Sequence, residues 1–216
     1  KKVQSLLKSK DAQYRLVAYR SLRRSGQNLI PHAKVLAKDK NAGVRRDVAL
    51  SMRAYSAKQS NSVLLEVSKR YDGVDKNYVE SIGLGAAGKE ESFWSQLKNS
   101  MKMKDPLQWS SAFARITWRL GTSKALPDLK ERESARELSM SDRLFAIESI
   151  AFINHPDAPD ALFALGQSLK DPKIKQSITQ WILKRSLTAW NQYNLQERLK
   201  VSGVYDPEKI KLISIS

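Results

Sequence analysis

A pattern that recurs every 30 to 34 residues constrains the fold of this chain more than any other feature. In each repeat a capping residue precedes an anchor by three places, and the position after the anchor is often basic. Apolar or small residues follow three or four places after the anchor. The anchors of the six repeats are Tyr14, Val44, Tyr78, Trp109, Asp142 and Ile174. Because offsets of about 3, 4, 7 and 8 share one face of an α-helix, each repeat predicts an amphipathic helix.

The residue three places before each anchor predicts where that helix begins. In five repeats it is Asp11, Asn41, Asp75, Ser139 and Asp171, whose side chains can accept a hydrogen bond from the free backbone N–H groups of a first turn. In the fourth repeat, Asp105 and Pro106 occupy this place. Proline suits the first helical position, so a helix start is predicted there as well.

A second helix is predicted in most repeats, and the two helices together indicate the fold class. The candidate second helices span 28–38, 60–71, 90–102, 123–138 and 157–170, and no stretch shows the sustained alternation of a strand. Helix pairs at this period are typical of an α-solenoid, and the cap followed by an apolar-basic pair resembles the HEAT repeat in its shorter bacterial form. We therefore predict an all-α solenoid of about six HEAT-like pairs in a right-handed superhelical arc over residues 1–201. Residues 202–216 are predicted to form a C-terminal extension or linker.

The charge of the chain is concentrated near its N-terminus. Of 216 residues, 38 are Lys or Arg and 22 are Asp or Glu, which gives a net charge of +16. Residues 1–54 hold 14 of the bases and 3 of the acids, a net charge of +11. Such a field attracts a polyanion or an acidic protein surface, but charge alone does not choose between these partners and a solvated face.

Two sets of cations are predicted to serve different purposes. One set recurs in the slot after the anchor and is predicted to form a structural ladder between repeats: Arg15, Arg45, Arg143 and Lys175. The other set is a candidate basic binding face: Arg20, Arg23, Arg24, Arg46 and Arg53. Of these, Arg23, Arg24 and Arg46 are the better candidates for phosphate contacts, because they fall outside the repeated slot.

One aromatic position stands between cations on a single helix. Trp118 has Arg119 beside it and Arg115 one turn earlier, so this cluster is a candidate contact for a base or a sugar. Packing of Trp118 in the core is the alternative interpretation, since aromatic residues on helices usually pack.

Several kinds of chemistry are excluded or lack a signature. The absence of Cys excludes a disulfide, a zinc-thiolate site, a thiol nucleophile and a c-type haem attachment within these residues. The two histidines, His32 and His155, lie in unrelated repeats without metal-ligand spacing. We predict no catalytic residue, no cofactor and no metal in this chain, and no apolar run approaches the roughly 20 residues of a membrane span. Because the chain begins Lys1-Lys2 without Met, we expect a fragment or a processed product.

Longer phrases add a resemblance to the repeat pattern. They are residues 70–88, residues 151–158, the stretch 181–185 with Trp190 and Tyr193, and residues 203–210. Together they resemble the helical-repeat region of the large haem-binding, membrane-bound dehydrogenases of planctomycetes and verrucomicrobia, over about residues 11–213. In that family a β-propeller precedes the helical repeats and a c-type cytochrome domain with a CxxCH motif follows them.

The resemblance implies a function as well as a fold. It implies a non-catalytic scaffold between an oxidising domain and an electron acceptor, in a parent protein that is periplasmic or exposed at the cell surface. The partners would then be protein domains of the same parent chain or of another protein. The charge keeps an alternative open, a basic nucleic-acid-binding protein similar to the HEAT-like DNA glycosylases that act on alkylated bases. A third hypothesis, a lyase-like repeat protein that acts on bilins, depends on the repeat period alone.

Overall fold

The computed structural model describes residues 2–202, except for the side chains of residues 2, 196 and 200. This part of the chain consists of α-helices joined by short loops and single 3₁₀ turns, and it contains no strand. The prediction of an all-α fold is therefore confirmed. The described chain forms two compact units, which we treat separately.

The N-terminal unit comprises the residues up to Lys104 together with Trp109–Leu120. Its helices are α1 (Lys2–Leu6), α2 (Ala12–Arg24), α3 (Ile30–Leu36), α4 (Ala42–Ser51), α5 (Ala57–Ser68), α6 (Lys76–Gly85), α7 (Glu90–Ser100) and α8 (Ser111–Leu120). Helices α2, α4, α6 and α8 pack side by side in one layer, and α3, α5 and α7 form a second layer. From α2 onward, each helix of this unit thus contacts the helix two places along the chain, because the first helices of successive repeats stack on one another and so do the second helices.

The C-terminal unit comprises Asp105–Gln108 and the described residues from Gly121 onward. Its helices are α9 (Leu126–Ser134), α10 (Met140–Phe152), α11 (Asp157–Ser168), α12 (Pro172–Ser186) and α13 (Leu195–Ser202). The same rule holds inside this unit, where α10 packs on α12, and α11 packs on both α9 and α13. Trp190 is fully buried in it and donates a hydrogen bond of 3.0 Å to the carbonyl oxygen of Ile153.

All five helix caps predicted from the repeat pattern are present. The side chains of Asp11, Asn41, Asp75, Ser139 and Asp171 each accept a hydrogen bond from a backbone N–H in the first turn of the following helix. Capping of this kind stabilises a helix by about 1 kcal/mol, because it satisfies N–H groups that have no partner within the helix.

The predicted start of the fourth repeat is wrong. Residues Pro106–Gln108 form a 3₁₀ turn, and α8 begins only at Ser111, where the hydroxyl of Ser110 accepts from the N–H of Phe113 at 3.2 Å. The Trp109 side chain is buried ahead of the helix, with its ring edge-on to Phe113 at 4.8 Å. Burial of this large ring, rather than the local Asp-Pro signal, determines where α8 begins.

Two glycines of α6 let neighbouring side chains and helices come close. A Cβ at Gly85 would overlap the carbonyl oxygen of Ala49 on α4 and would lie 2.9 Å from Leu64 Cδ2. A Cβ at Gly83 would lie 2.6 Å from Cγ and Cζ of the Arg119 side chain on α8. Gly83 and Gly85 therefore serve the packing of α6 against α4 and α8.

The predicted boundary at residue 202 is not tested, because residues 203–216 lie outside the described part of the chain. The same holds for the phrase at residues 203–210 that contributes to the family resemblance. No helix of the described residues is both long enough and apolar enough to cross a bilayer.

Candidate basic interface

Two arginines of the predicted basic face meet at one buried carboxylate. Arg20 on α2 donates from both Nε and Nη2 to Asp47 on α4, with an Nη2 to Oδ2 distance of 2.5 Å. The Nη1 atom of Arg23 lies 3.7 Å from Oδ1 of the same residue. Asp47 keeps 8% of its side chain exposed, whereas both arginine side chains remain nearly half exposed. The pair of cations therefore has one compensating charge and retains a net charge of about +1.

The other members of the predicted face are not gathered at the same carboxylate. Nη1 of Arg46 lies 3.6 Å from Oδ2 of Asp75, the residue that caps α6. Arg24 ends α2, and Arg53 lies in the 3₁₀ turn after α4. Both are exposed, and neither has a carboxylate partner among residues 2–202. Ion pairs thus hold three of the five arginines, which weakens their attraction for an outside anion.

The aromatic-basic cluster of α8 is built around a further ion pair. Arg119 donates from Nε to Glu80 on α6 at 2.7 Å, and its stem covers Gly83. Trp118 is half-buried, and Arg115 is exposed one turn earlier. The spacing of Arg115, Trp118 and Arg119 places them on neighbouring faces of one helix, but the charge of Arg119 is already used to join α6 to α8.

The first position of the predicted ladder binds two loops at once. Arg15 donates from Nε and Nη2 to the two carboxylate oxygens of Asp39 at 2.6 and 2.7 Å. Its Nη1 donates to the carbonyl oxygens of Ser9 and Lys10 at 2.8 and 3.0 Å. Both charged side chains are more than nine-tenths buried. Arg15 therefore fastens the loop before α2 to the loop before α4.

The second position repeats this geometry one repeat later. Nη1 of Arg45 donates to the carbonyl oxygens of Asp39 and Lys40, again five and six residues earlier in the chain, at 3.0 Å or less. Its Nε donates to the hydroxyl of Tyr78 on α6 at 2.7 Å, and its guanidinium stacks over the Tyr78 ring. In both repeats, the arginine therefore donates to carbonyl oxygens of the loop before its own helix and to a side chain of the next repeat.

Burial and the neighbouring hydrogen bonds and charges act in opposite directions on the pKa of Asp39. Burial by itself raises the pKa of its carboxyl group, but the hydrogen bonds from Arg15 and from the N–H of Asn41, with the charges of Arg15 and Arg45, outweigh it. The net result is a pKa below the usual range of aspartate. Asp39 is therefore ionised at neutral pH, and its charge is paired with Arg15 of the ladder.

In the fifth repeat, the ladder residue Arg143 lies beside a carboxyl group that is fully buried. Arg143 donates from Nε to the carbonyl oxygen of Glu133 at 2.6 Å, and its Nη2 lies 3.7 Å from Oε1 of that residue. The Glu133 side chain is fully buried, and this desolvation raises its pKa to about 7 despite the charge of Arg143. In the sixth repeat, Lys175 is half-buried on α12.

A set of exposed lysines that sequence reasoning did not single out lies in the loops of the N-terminal unit. We call it the lysine edge, and its members lie in the loops before α2, α4, α6 and α8: Lys8, Lys10, Lys38, Lys40, Lys69, Lys102 and Lys104. All seven are exposed, and none has a carboxylate partner among residues 2–202. The signal was available as two lysines separated by one residue, directly before the caps of α2 and α4 and directly before Asp105, where the sequence predicts the fourth repeat to begin.

The loops that carry these lysines lie at one edge because the helices of the first layer are parallel. Arg15 and Arg45 join the starts of α2, α4 and α6. At the other end of the layer, the Tyr19 hydroxyl of α2 contacts the Ser51 hydroxyl that ends α4, at 2.6 Å. A Cβ at Gly73, before α6, would lie 2.7 Å from Ser111 Oγ at the start of α8. The four helix starts therefore form one edge.

Sites for metal chemistry are not evident in the described residues. Within 2–202, no group of three or more His, Asp or Glu side chains is placed to hold a metal ion. His32 is half-buried on α3, and His155 lies 3.5 Å from Asp157 at the start of α11. The prediction that the chain carries no metal or cofactor is not tested by these observations and stays a prediction.

Comparison of the chain with protein-family models, with curated proteins and with solved structures found no match. The resemblance to the haem-binding dehydrogenases is therefore neither supported nor contradicted by these comparisons, and it stays a hypothesis.

Proposed function

We propose that this chain is a non-catalytic interaction scaffold, built as an α-solenoid of about six HEAT-like helix pairs in a right-handed arc. The observation that supports it most directly is the ladder, in which Arg15 and Arg45 make the same two backbone contacts one repeat apart. A contact that recurs with the period of the sequence is what a stack of equivalent repeats requires. The packing of each helix from α2 onward on the helix two places along, inside each unit, is a second support.

Solution scattering of the chain tests the arc. Stacked helix layers are separated by about 10 Å, so six repeats would give a particle with a maximum dimension of roughly 60 Å or more. A compact chain of this length has a radius of gyration of about 17 Å. We expect a larger radius and an asymmetric distance distribution. A symmetric distribution with a radius of about 17 Å would contradict the extended arrangement.

We further propose that the scaffold separates a dehydrogenase β-propeller from a c-type cytochrome domain in a larger exported protein. The support is the resemblance of its phrases to the repeat region of those enzymes. Rigid stacking would hold a constant separation between an electron donor and an acceptor, so the contribution of this chain would be positional.

The visible spectrum of the parent protein, before and after addition of dithionite, tests this role. We expect the sharp absorption bands of a reduced c-type haem to appear on reduction. A parent protein that shows no haem band in either state would rule out the dehydrogenase role. The scattering experiment tests the extended arrangement of the repeats independently of that result.

A further inference from the structure

We propose that the lysine edge binds the phosphate backbone of nucleic acid without reading its bases. The proposal goes beyond the scaffold function, since it needs only the observed packing of the N-terminal unit. It also differs from the arginine face predicted from the sequence, because the two surfaces use different residues.

Every acid in these four loops accepts a hydrogen bond within the protein, including Asp105, which accepts from the N–H of Leu107. Asp39 is buried under Arg15, and Asp11 and Asp75 accept backbone N–H groups as helix caps. Asp72 accepts from the N–H groups of Val74 and Asp75 within its own loop. The seven lysines of the edge, by contrast, extend into solvent without carboxylate partners among the described residues. The lysines therefore have no competing ion pair, whereas each acid of these loops already has a partner within the protein.

The arrangement of the lysines follows the repeat. Lysines occur as pairs at 8 and 10, 38 and 40, and 102 and 104, with Lys69 on the loop between the last two pairs. Neighbouring helices lie about 10 Å apart, so the four loops extend over roughly 30 Å. The starts of four parallel helices point to the same edge, and their aligned peptide dipoles add positive potential there. The result is a line of regularly spaced positive charge.

A polymer with regularly spaced negative charge matches this line best. The nucleic-acid backbone carries one charge per nucleotide at a constant interval, whereas the cores of protein–protein interfaces are depleted of charged residues such as lysine. A lipid surface requires no regular spacing of its ligands. Lysine is a compact point charge without the fork geometry of arginine, which suits phosphate contacts that are independent of sequence.

The experiment compares two double variants that change the net charge equally. Lys38→Glu with Lys40→Glu reverses one pair of the lysine edge. Lys34→Glu with Lys58→Glu reverses two equally exposed lysines on α3 and α5 of the same unit. Fluorescence anisotropy measures the binding of each full chain to a labelled 20-nucleotide strand and a 20-base-pair duplex of mixed sequence, from 50 to 300 mM NaCl. Co-sedimentation with vesicles of one part phosphatidylserine to three parts phosphatidylcholine, and anisotropy with labelled poly-glutamate, test the other two classes of partner.

We expect the unaltered chain to bind at least one of the two nucleic acids with an affinity that falls steeply with salt. The edge variant should bind on the order of tenfold more weakly and lower the slope of log K against log salt by about 2, one unit for each lost phosphate contact. The control variant should change affinity less than about threefold, as expected of a general field effect. Circular dichroism checks that each variant folds. If the variant with Lys38→Glu and Lys40→Glu does not fold, the variant with Lys102→Glu and Lys104→Glu takes its place.

Three results would overturn the proposal. The first is no binding to either nucleic acid at 50 mM NaCl, and the second is an equal loss of affinity in both variants. The third is tighter binding to the vesicles or to poly-glutamate than to either nucleic acid, which would assign the edge to a membrane or to an acidic protein.

Discussion

Replacement of Gly85 by alanine is expected to lower the free energy of unfolding by about 3 kcal/mol, because the new methyl group has no space. A Cβ at this position would overlap the carbonyl oxygen of Ala49, and Leu64 Cδ2 closes the site from a second side. A backbone oxygen inside α4 cannot rotate away as a side chain can. Helices α4 and α6 must therefore move apart, although alanine favours the helix over glycine by about 1 kcal/mol.

Gly83→Ala provides the matched control, since it adds the same methyl group to the same helix two residues earlier. The atoms it would meet belong to the Arg119 side chain, which can move, and Ala again gains helix propensity. We expect the stability of this variant to lie within about 1 kcal/mol of the unaltered protein. Urea unfolding followed by circular dichroism measures both variants. Equal stabilities for Gly83→Ala and Gly85→Ala would mean that the close approach of α4 and α6 does not limit packing.

The fold was predictable where the controlling interactions are local. A cap lies three residues or fewer from the N–H group it binds, so Asp11, Asn41 and the other caps could be identified by spacing alone. The second helices were found for the same reason, with shifts of a few residues at their ends. The fourth repeat failed because the burial of Trp109 against Phe113 is a tertiary event, and a helix start signal at Asp105 and Pro106 does not outweigh it.

The candidate site was less predictable, because the fate of a charged side chain depends on distant residues. Asp47 lies 27 residues from Arg20, and Glu80 lies 39 residues from Arg119. No local pattern reveals that these acids form ion pairs with the two arginines. The lysine edge had a local signal in its paired lysines, but its meaning depends on parallel helices that bring loops 30 residues apart to one edge.

Replacement of Arg15 by methionine should destabilise the protein by about 3 to 5 kcal/mol at neutral pH, since it removes the ion-pair partner of a buried charge. Asp39 has 5% of its side chain exposed, and it would lose both hydrogen bonds from the guanidinium. The carbonyl oxygens of Ser9 and Lys10 would lose a donor as well. Arg46→Met is the control, because its ion pair with Asp75 is 3.6 Å long and about one-third exposed, and we expect it to cost less than about 1 kcal/mol.

The double variant Arg15→Met with Asp39→Asn separates a lost ion pair from a lost packing contact. Asparagine removes the unpaired charge and keeps an oxygen for the N–H of Asn41, which Asp39 binds at 2.8 Å. We expect the double variant to be more stable than Arg15→Met alone by at least about 1 kcal/mol. Urea unfolding at pH 7 decides the matter, and a double variant no more stable than the single one would show that Asp39 is not strained by the loss of Arg15.

The pH dependence of the Arg15→Met variant follows from the ionisation of Asp39. In the unaltered protein the pKa of Asp39 is lowered, so its contribution to stability is present above the ordinary aspartate pKa and is lost as pH falls through the lower, folded value. Without Arg15, burial is opposed only by the Asn41 N–H and the charge of Arg45, so the pKa of Asp39 must rise. Protonation then relieves the buried charge. The stability difference between the two proteins should be largest near pH 7 and should narrow as pH falls from the raised pKa of Asp39 in the variant towards its lowered pKa in the unaltered protein. Because Arg46 does not contact Asp39, the stability difference between the Arg46→Met control and the unaltered protein should not narrow in this way. A stability difference for Arg15→Met that stays constant across this pH range would mean that packing, rather than charge, makes Arg15 necessary.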